Sequence, residues 1–220
     1  MNHNNKEIDN INKLFILYKM SKKLHCVLDI DLTLISAEPS EEFDFEKYKE
    51  KVVNNFDFED MDSYYIIVAR PYLQEFLDYL FKNFKVSIFT AASRSYALFI
   101  INKFILKDKS RKLEYIFFDY HCKLSEHKYD AQKDLRLFWE EFKLPEFNPN
   151  TTFLIDDYCH NKKTQPCNCI QIKKFEVTDK NSENDTELRD MIPKLKKLKK
   201  VMENPPSGDI CLVEFAKMNE

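Results

Sequence analysis

Glycine is almost missing from this chain: Gly208 is the single one in 220 residues, against a usual share of about 7%. The cradles that hold phosphate on closely spaced glycines, the Walker A loop and the GxGxxG turn, are thereby excluded, so any phosphate chemistry must rest on side chains. Turns must rely on Asn, Asp and Pro instead. Long hydrophobic runs are also missing, and no segment approaches the roughly 20 apolar residues that cross a membrane. Cysteine is sparse: Cys26, Cys122, Cys159, Cys167, Cys169 and Cys211 are too few to build a disulfide scaffold of this size. No secretory signal opens the chain, so reduced thiols in an intracellular setting, cytoplasmic or nuclear, are the expectation. A net charge of −3 gives no broad attraction to nucleic acid. The one basic stretch, "KLKKLKK" from Lys194 to Lys200, carries Leu195 and Leu198 at the spacing of an amphipathic helix end.

What is present is ample apolar material, 44% hydrophobic and 14% aromatic, enough for one substantial core. The richness in Lys, Asn, Phe and Ile is that of an AT-rich genome, viral or otherwise. Residues 1–22 read as an N-terminal extension with a short amphipathic helix on Ile8, Ile11, Leu14, Phe15 and Tyr18. The body spans 23–202, and 203–220 form a tail of poor helix formers. Within the body, "HCVLD" is a continuous apolar strand, and an acidic, aromatic insertion, 37–63, follows with a helix around "FEKYKEKVVNNF". Strands at "YYIIVA" (64–69), "KVSIFT" (85–90), "LEYIFF" (113–118), "TTFLID" (151–156) and "NCIQIKKF" (168–175) come next. They are interleaved with helices at "PYLQEFLDYLFKN", at 93–105 where Ser93 is a candidate cap, at 130–142, and at 185–201. Strand alternating with helix predicts an α/β fold, a parallel sheet flanked by helices with a small insertion after the first strand. In such sheets function gathers beyond the carboxyl ends of the strands.

Those ends are chemically distinctive. "VLDIDLT" places Asp29, Asp31 and Thr33 together, "SIFT" ends in Thr90, and "FLIDD" ends in Asp156 and Asp157. Lys133 lies on the helix expected after "YIFF". Carboxylates crowded on one rim repel and lose hydration, which calls for a hard cation, most simply Mg²⁺. A lysine and a hydroxyl facing the same point suit an anion's oxygens. Together they point to phosphoryl transfer with a carboxylate nucleophile. Four soft donors follow the acidic pair, Cys159, His160, Cys167 and Cys169, but their CxC spacing is unusual for zinc, and separate reduced thiols are expected.

"VLDIDLT" fits the DxDxT signature of the haloacid dehalogenase superfamily. The order of "ARPYLQEFLDYLFKNFKVSIFTAASRSYA", Cys122, "QKDLRLF", "FLIDDY" and "NDTELRDMIPKLKKL" resembles its FCP/SCP-type phosphatases, which act on the RNA polymerase II C-terminal domain and related phosphoproteins. The resemblance covers about residues 24–200. It implies a Rossmannoid fold and a Mg²⁺-dependent phosphatase of phosphoserine or phosphothreonine proteins working through an aspartyl-phosphate. Asp29 would be the nucleophile, Asp31 the general acid and base, and Thr33 the holder of the motif's turn. Thr90 and Lys133 would bind phosphoryl oxygens. Asp29, the Asp31 carbonyl, Asp156 and Asp157 would hold Mg²⁺. The implied partner is a phosphorylated protein or peptide, with no stable nucleic-acid or membrane association; the oligomeric state is left open. Two departures stand out. Leu32 occupies a position where many relatives carry Glu, and the stretch after Cys122 offers Lys123, His127 and Lys128 where the family often has a substrate-holding arginine. Two other readings stay open: a non-catalytic Tim50-like binding module, and a small-molecule or nucleic-acid-end phosphatase of the same superfamily.

Overall fold

The apolar run that begins at His25 becomes the central strand of a five-stranded sheet. A computed structural model describes residues 23–203 and 211–217; the helix expected within 1–22 lies outside them. In chain order the elements are β1 (His25–Leu28), β2 (Ile35–Pro39), α1 (Phe45–Asn55), β3 (Phe58–Met61), β4 (Tyr65–Ala69), α2 (Leu73–Asn83), β5 (Lys85–Phe89), α3 (Arg94–Ile100), β6 (Ile116–Phe117), α4 (Asp119–Tyr129), β7 (Thr152–Asp156), α5 (Cys159–Thr164), β8 (Cys169–Gln171), α6 (Glu187–Glu203) and α7 (Leu212–Lys217). The main sheet runs β6-β5-β1-β7-β8 with every pair parallel. This is the α/β architecture expected.

Successive side chains of a strand point to opposite faces, and β1 shows why its sequence is apolar throughout. Cys26 and Leu28 enter a core shared with Phe76, Leu77 and Leu80 of α2 and Leu188, Met191 and Leu195 of α6. Val27 enters the opposite core with Phe89, Phe138 and Leu154. Both faces are covered, so alternation with polar residues would bury unpaired groups. Leu195 and Leu198 are fully buried, so the "KLKKLKK" segment is a docked amphipathic helix.

Several local expectations are corrected. "YYIIVA" does not join the parallel sheet: β4 is the middle of a second, antiparallel sheet ordered β2-β4-β3, whose underside packs Ile66 and Val68 against Phe43, Val52 and Val177. "LEYIFF" and "NCIQIKKF" shorten to β6 and β8 at the sheet's two edges. The helix expected over 130–142 is only a π-turn at Leu137–Glu141, and an unforeseen helix, α4, precedes it. Of α4's residues, Cys122 and Ser125 alone are buried, too little apolar content to produce a visible 3.6-residue period. Ser93 sits at the N-cap of α3 without a side-chain capping bond. The chain after Pro205 contains α7, because Leu212, Val213 and Ala216 are buried on the main core.

The shortage of glycine has a visible cost. Asp62, Asp130 and Asn181 take left-handed conformations as expected of turn residues, but so do Leu32, Ser63, Tyr72 and Lys143. Leu32, at φ 59°, lies inside the DxDxT turn. Such strain costs on the order of 1–2 kcal/mol, and here its backbone offsets it. The Leu32 N–H donates to the Ile35 carbonyl at 2.8 Å, and its own carbonyl accepts from Phe175 N–H at 2.7 Å.

Candidate active site

The carboxyl end of β1 carries the first aspartate. Asp29 extends the ladder by donating its N–H to the Ile155 carbonyl at 3.0 Å, which sets it beside the end of β7, where Asp156 and Asp157 follow. Asp29 and Asp156 are buried and Asp157 half-buried; one oxygen from each lies within 4.8 Å of the others. Among the described residues no other group of three or more His, Cys, Asp and Glu side chains is close enough to share an ion. The donors are all carboxylate oxygens, a set that suits a hard divalent cation and not a thiophilic one.

Lys133 closes the cluster. Its Nζ lies 2.5 Å from Asp29 Oδ1 and 2.8 Å from Asp156 Oδ2, with all three side chains nearly inaccessible. Burial disfavours its charge, but Asp29 and Asp156 more than reverse that and hold the ammonium above the ordinary lysine range. Burial pushes the Asp29 carboxyl well above the usual carboxylate range, Lys133 opposes the rise, and Asp156 and Asp31 add to it. Asp157 is raised as well, by burial and then by Asp156.

Lys133 sits not on a helix, as its place after "YIFF" suggests, but on the turn between α4 and the π-turn. That turn is pinned by polar groups no local pattern announces. Gln165 donates its amide to the Lys133 carbonyl at 2.6 Å and accepts from Leu135 N–H at 3.1 Å. The Ser125 hydroxyl donates to the Ala131 carbonyl at 2.6 Å and accepts from Asp134 N–H at 2.8 Å.

Thr33 ties the two acidic motifs together. Its single hydroxyl hydrogen lies within reach of Asp29 Oδ2 at 3.3 Å and Asp157 Oδ1 at 3.4 Å, while its oxygen accepts from Asp157 N–H at 3.1 Å. Its carbonyl accepts from Arg70 Nη1 at 3.0 Å. Arg70 is fully buried and grips Asp185 through two bonds of 2.9 Å, so the start of α6 braces the DxDxT turn. The Arg-Pro pair was visible in the sequence; its partner, 115 positions away, was not.

Thr90 follows β5 directly, buried, with its Oγ1 accepting from Ala92 N–H at 3.1 Å. Asp31 turns its carboxyl to Tyr96 of α3, whose hydroxyl donates to Oδ1 at 2.6 Å. Burial raises the Asp31 carboxyl, and the Tyr96 bond and Lys133 partly counter it. The aspartates and Lys133 thus converge, with Thr90 at the end of the adjoining strand.

The four soft donors do not converge. Cys167 is bonded to Cys211 in a disulfide, which corrects the expectation of thiols throughout. Cys159 is exposed at the start of α5, and Cys169 is buried at the start of β8.

A parallel sheet in this order, with paired aspartates ending its central strand and an acidic pair ending the neighbour, defines a phosphatase fold of the haloacid dehalogenase type. Residues 24–204 match the NLI interacting factor-like phosphatase family, and the chain belongs to it. A CTD phosphatase-like protein of Invertebrate iridescent virus 6 is 50% identical over 166 residues, 73% of this chain and 91% of its own length. Its counterpart in Invertebrate iridescent virus 3 is 39% identical over 174 residues, 76% of this chain and 92% of that one. The solved structure of Fcp1, described as an essential RNA polymerase II CTD phosphatase, is similar in fold, with TM-score 0.50 at 17% identity. That match covers 96% of this chain and 64% of Fcp1. Among the described residues, no helix is long and apolar enough to cross a membrane.

Proposed function

We propose that this chain is a Mg²⁺-dependent phosphatase that removes phosphate from phosphoserine or phosphothreonine in proteins through an aspartyl-phosphate on Asp29. The observation that carries the reading is the convergence of Lys133 with Asp29 and Asp156 in a buried cluster that the Asp31 and Asp157 side chains adjoin. A carboxylate nucleophile must be ionised and close to an electrophilic phosphorus, and the surroundings of Asp29 oppose its ionisation unless positive charge is near. Lys133 supplies one such charge. A divalent cation held by Asp29, Asp156, Asp157 and the Asp31 carbonyl would supply the rest and offset the negative charge of the incoming phosphate.

The residues then divide the work. Asp29 attacks phosphorus as the bond to the leaving oxygen breaks, and Asp31 gives that oxygen its proton. In the second half Asp31 takes a proton from the attacking water, and Asp29 leaves as carboxylate. Thr90, with Oγ1 already accepting from Ala92 N–H, has its hydrogen to donate to a phosphoryl oxygen, and Lys133 neutralises charge that builds there. Thr33 and Arg70 hold the turn between the two aspartates. The protein-substrate reading is supported by the phosphatase family and by the names of the two viral relatives.

The purified protein is expected to hydrolyse p-nitrophenyl phosphate with Mg²⁺ and not with excess chelator. Asp29→Asn should abolish turnover while leaving the circular dichroism spectrum intact. Unchanged turnover in that variant refutes the mechanism. A panel of phosphopeptides, sugar phosphates and 3′-phosphorylated DNA tests the substrate class, and a preference for either of the last two overturns the protein-phosphatase reading.

A further inference from the structure

Asp31 has two carboxyl oxygens, and the structure treats them differently. Tyr96 is the only side chain hydrogen-bonded to Asp31 among the described residues, and it donates to Oδ1 at 2.6 Å. The ring is held from the other side, edge-on to Tyr65 at 5.3 Å between centroids and 73° between planes. Tyr65 opens β4 in the antiparallel sheet, and that sheet's first strand pairs back onto the motif through an Asp31–Ile35 bridge. Tyr96 is therefore fixed at both ends, and the Asp31 backbone is fixed as well.

A neutral carboxyl carries one O–H, and an oxygen that already accepts a short hydrogen bond is the poorer place for it. We infer that Tyr96 is a positioning residue for Asp31: by occupying Oδ1 as an acceptor, it places the transferable proton on Oδ2 and aims that oxygen at the leaving group. In the first step the Oδ2–H bond breaks as the leaving oxygen takes the proton and its bond to phosphorus is lost to Asp29. In the second, Oδ2 recovers a proton from the water whose oxygen bonds to phosphorus, and the Asp29–phosphorus bond breaks. Oδ1 stays an acceptor of the Tyr96 hydrogen throughout, so the tyrosine need not titrate. The inference rests on the phosphatase reading above and adds a residue to it.

The test uses Tyr96→Phe, which keeps the ring against Tyr65 and removes only the hydroxyl. Leaving groups decide the outcome, because a poor one needs the proton and a good one does not. Positioned proton transfer is worth roughly 10²- to 10⁴-fold in rate. Tyr96→Phe, which leaves the proton in place and loses only its positioning, should lower kcat/KM for phenyl phosphate about 10- to 100-fold, less than the loss of the whole transfer, and leave p-nitrophenyl phosphate much less affected. In an Asp31→Asn background the same change should cost nothing further for phenyl phosphate, because the two residues act as a unit. Its unfolding midpoint should stay near wild type. An equal loss on both esters, or additive losses in the double variant, overturns the role of Tyr96 while leaving the phosphatase reading intact. Turnover that survives Asp29→Asn, or a wild type that hydrolyses neither ester, overturns both.

Discussion

His25 opens β1 four residues before Asp29, and its ring is a test of how burial sets the acid limit of this domain. It is 1% exposed, stacked on Phe147 at 3.9 Å, with Nε2 2.8 Å from the Ser87 hydroxyl. That hydroxyl already accepts from Tyr115 N–H at 3.1 Å, so its hydrogen points to Nε2, which must keep its lone pair. Burial, then Lys85, lowers the imidazole from 6.5 to about 3, against a smaller opposing effect of Glu146. A folded value below the unfolded one contributes stability that is whole above pH 6.5 and lost as pH falls toward 3. At pH 5 the unfolded imidazole is almost fully protonated and the folded one is not, so about 1.5 logarithmic steps, or ~2 kcal/mol, have gone. Below pH 3 the loss reaches ~5 kcal/mol. His25→Phe keeps the stack on Phe147 and removes the titration, at the cost of the Ser87 bond. Urea unfolding at pH 7.5 and 5.0 should therefore show the variant less stable at pH 7.5, yet losing ~2 kcal/mol less than wild type between the two pH values. Equal losses in the two proteins would refute the reasoning, because the acid sensitivity would then belong to other groups.

Two further perturbations probe the frame of the site. Arg70→Ala leaves the Thr33 carbonyl without its Arg70 donor and Asp185 with the Glu187 N–H in place of the guanidinium, and breaking a buried pair in this way costs about 3–5 kcal/mol. Thermal unfolding should fall by about 6–20 °C for a domain of this size, and a loss under 1 kcal/mol would show that Arg70 does not brace the turn. The Cys167–Cys211 disulfide closes a segment with separation 44, which corresponds to about 4 kcal/mol of chain-entropy stabilisation. Dithiothreitol should lower the unfolding midpoint, and Cys211→Ser should match the reduced wild type. Six titratable thiols in the denatured, unreduced protein would show the bridge absent.

The parts of the molecule legible in the sequence are those whose signals are local. β1, β5 and β7 are apolar runs because both faces of the sheet are covered, and a reactive group at a strand's end stands out against such a run. Asp29, Asp31, Thr90, Asp156 and Asp157 stand out in the sequence that way. α4 was missed because so little of it is buried, and the expected helix at 130–142 borrowed its apolar period from residues that pack in a π-turn. The second sheet has no signature of its own, since a strand's composition does not say which neighbour it will pair with.

What the sequence hid is polar and long-range. Tyr96 meets Asp31 across 65 positions, Gln165 meets Lys133 across 32, and Arg70 meets Asp185 across 115. None of these pairs has a period, a spacing or a composition that marks it, yet each bears on the carboxylates or the turn between them. Their common feature is electrostatic necessity: a cluster as acidic as Asp29, Asp156 and Asp157 can be buried only if donors surround it. Lys133 answers part of that need directly, with both its close contacts on acidic oxygens. Gln165, Arg70 and Thr33 answer it by holding the backbone that presents those oxygens. Once the aspartates are placed at the ends of β1 and β7, the chain must supply such groups from elsewhere. A search for orphaned donors among Arg, Lys, Gln and Tyr is therefore the physical route from the motif to the rest of the site.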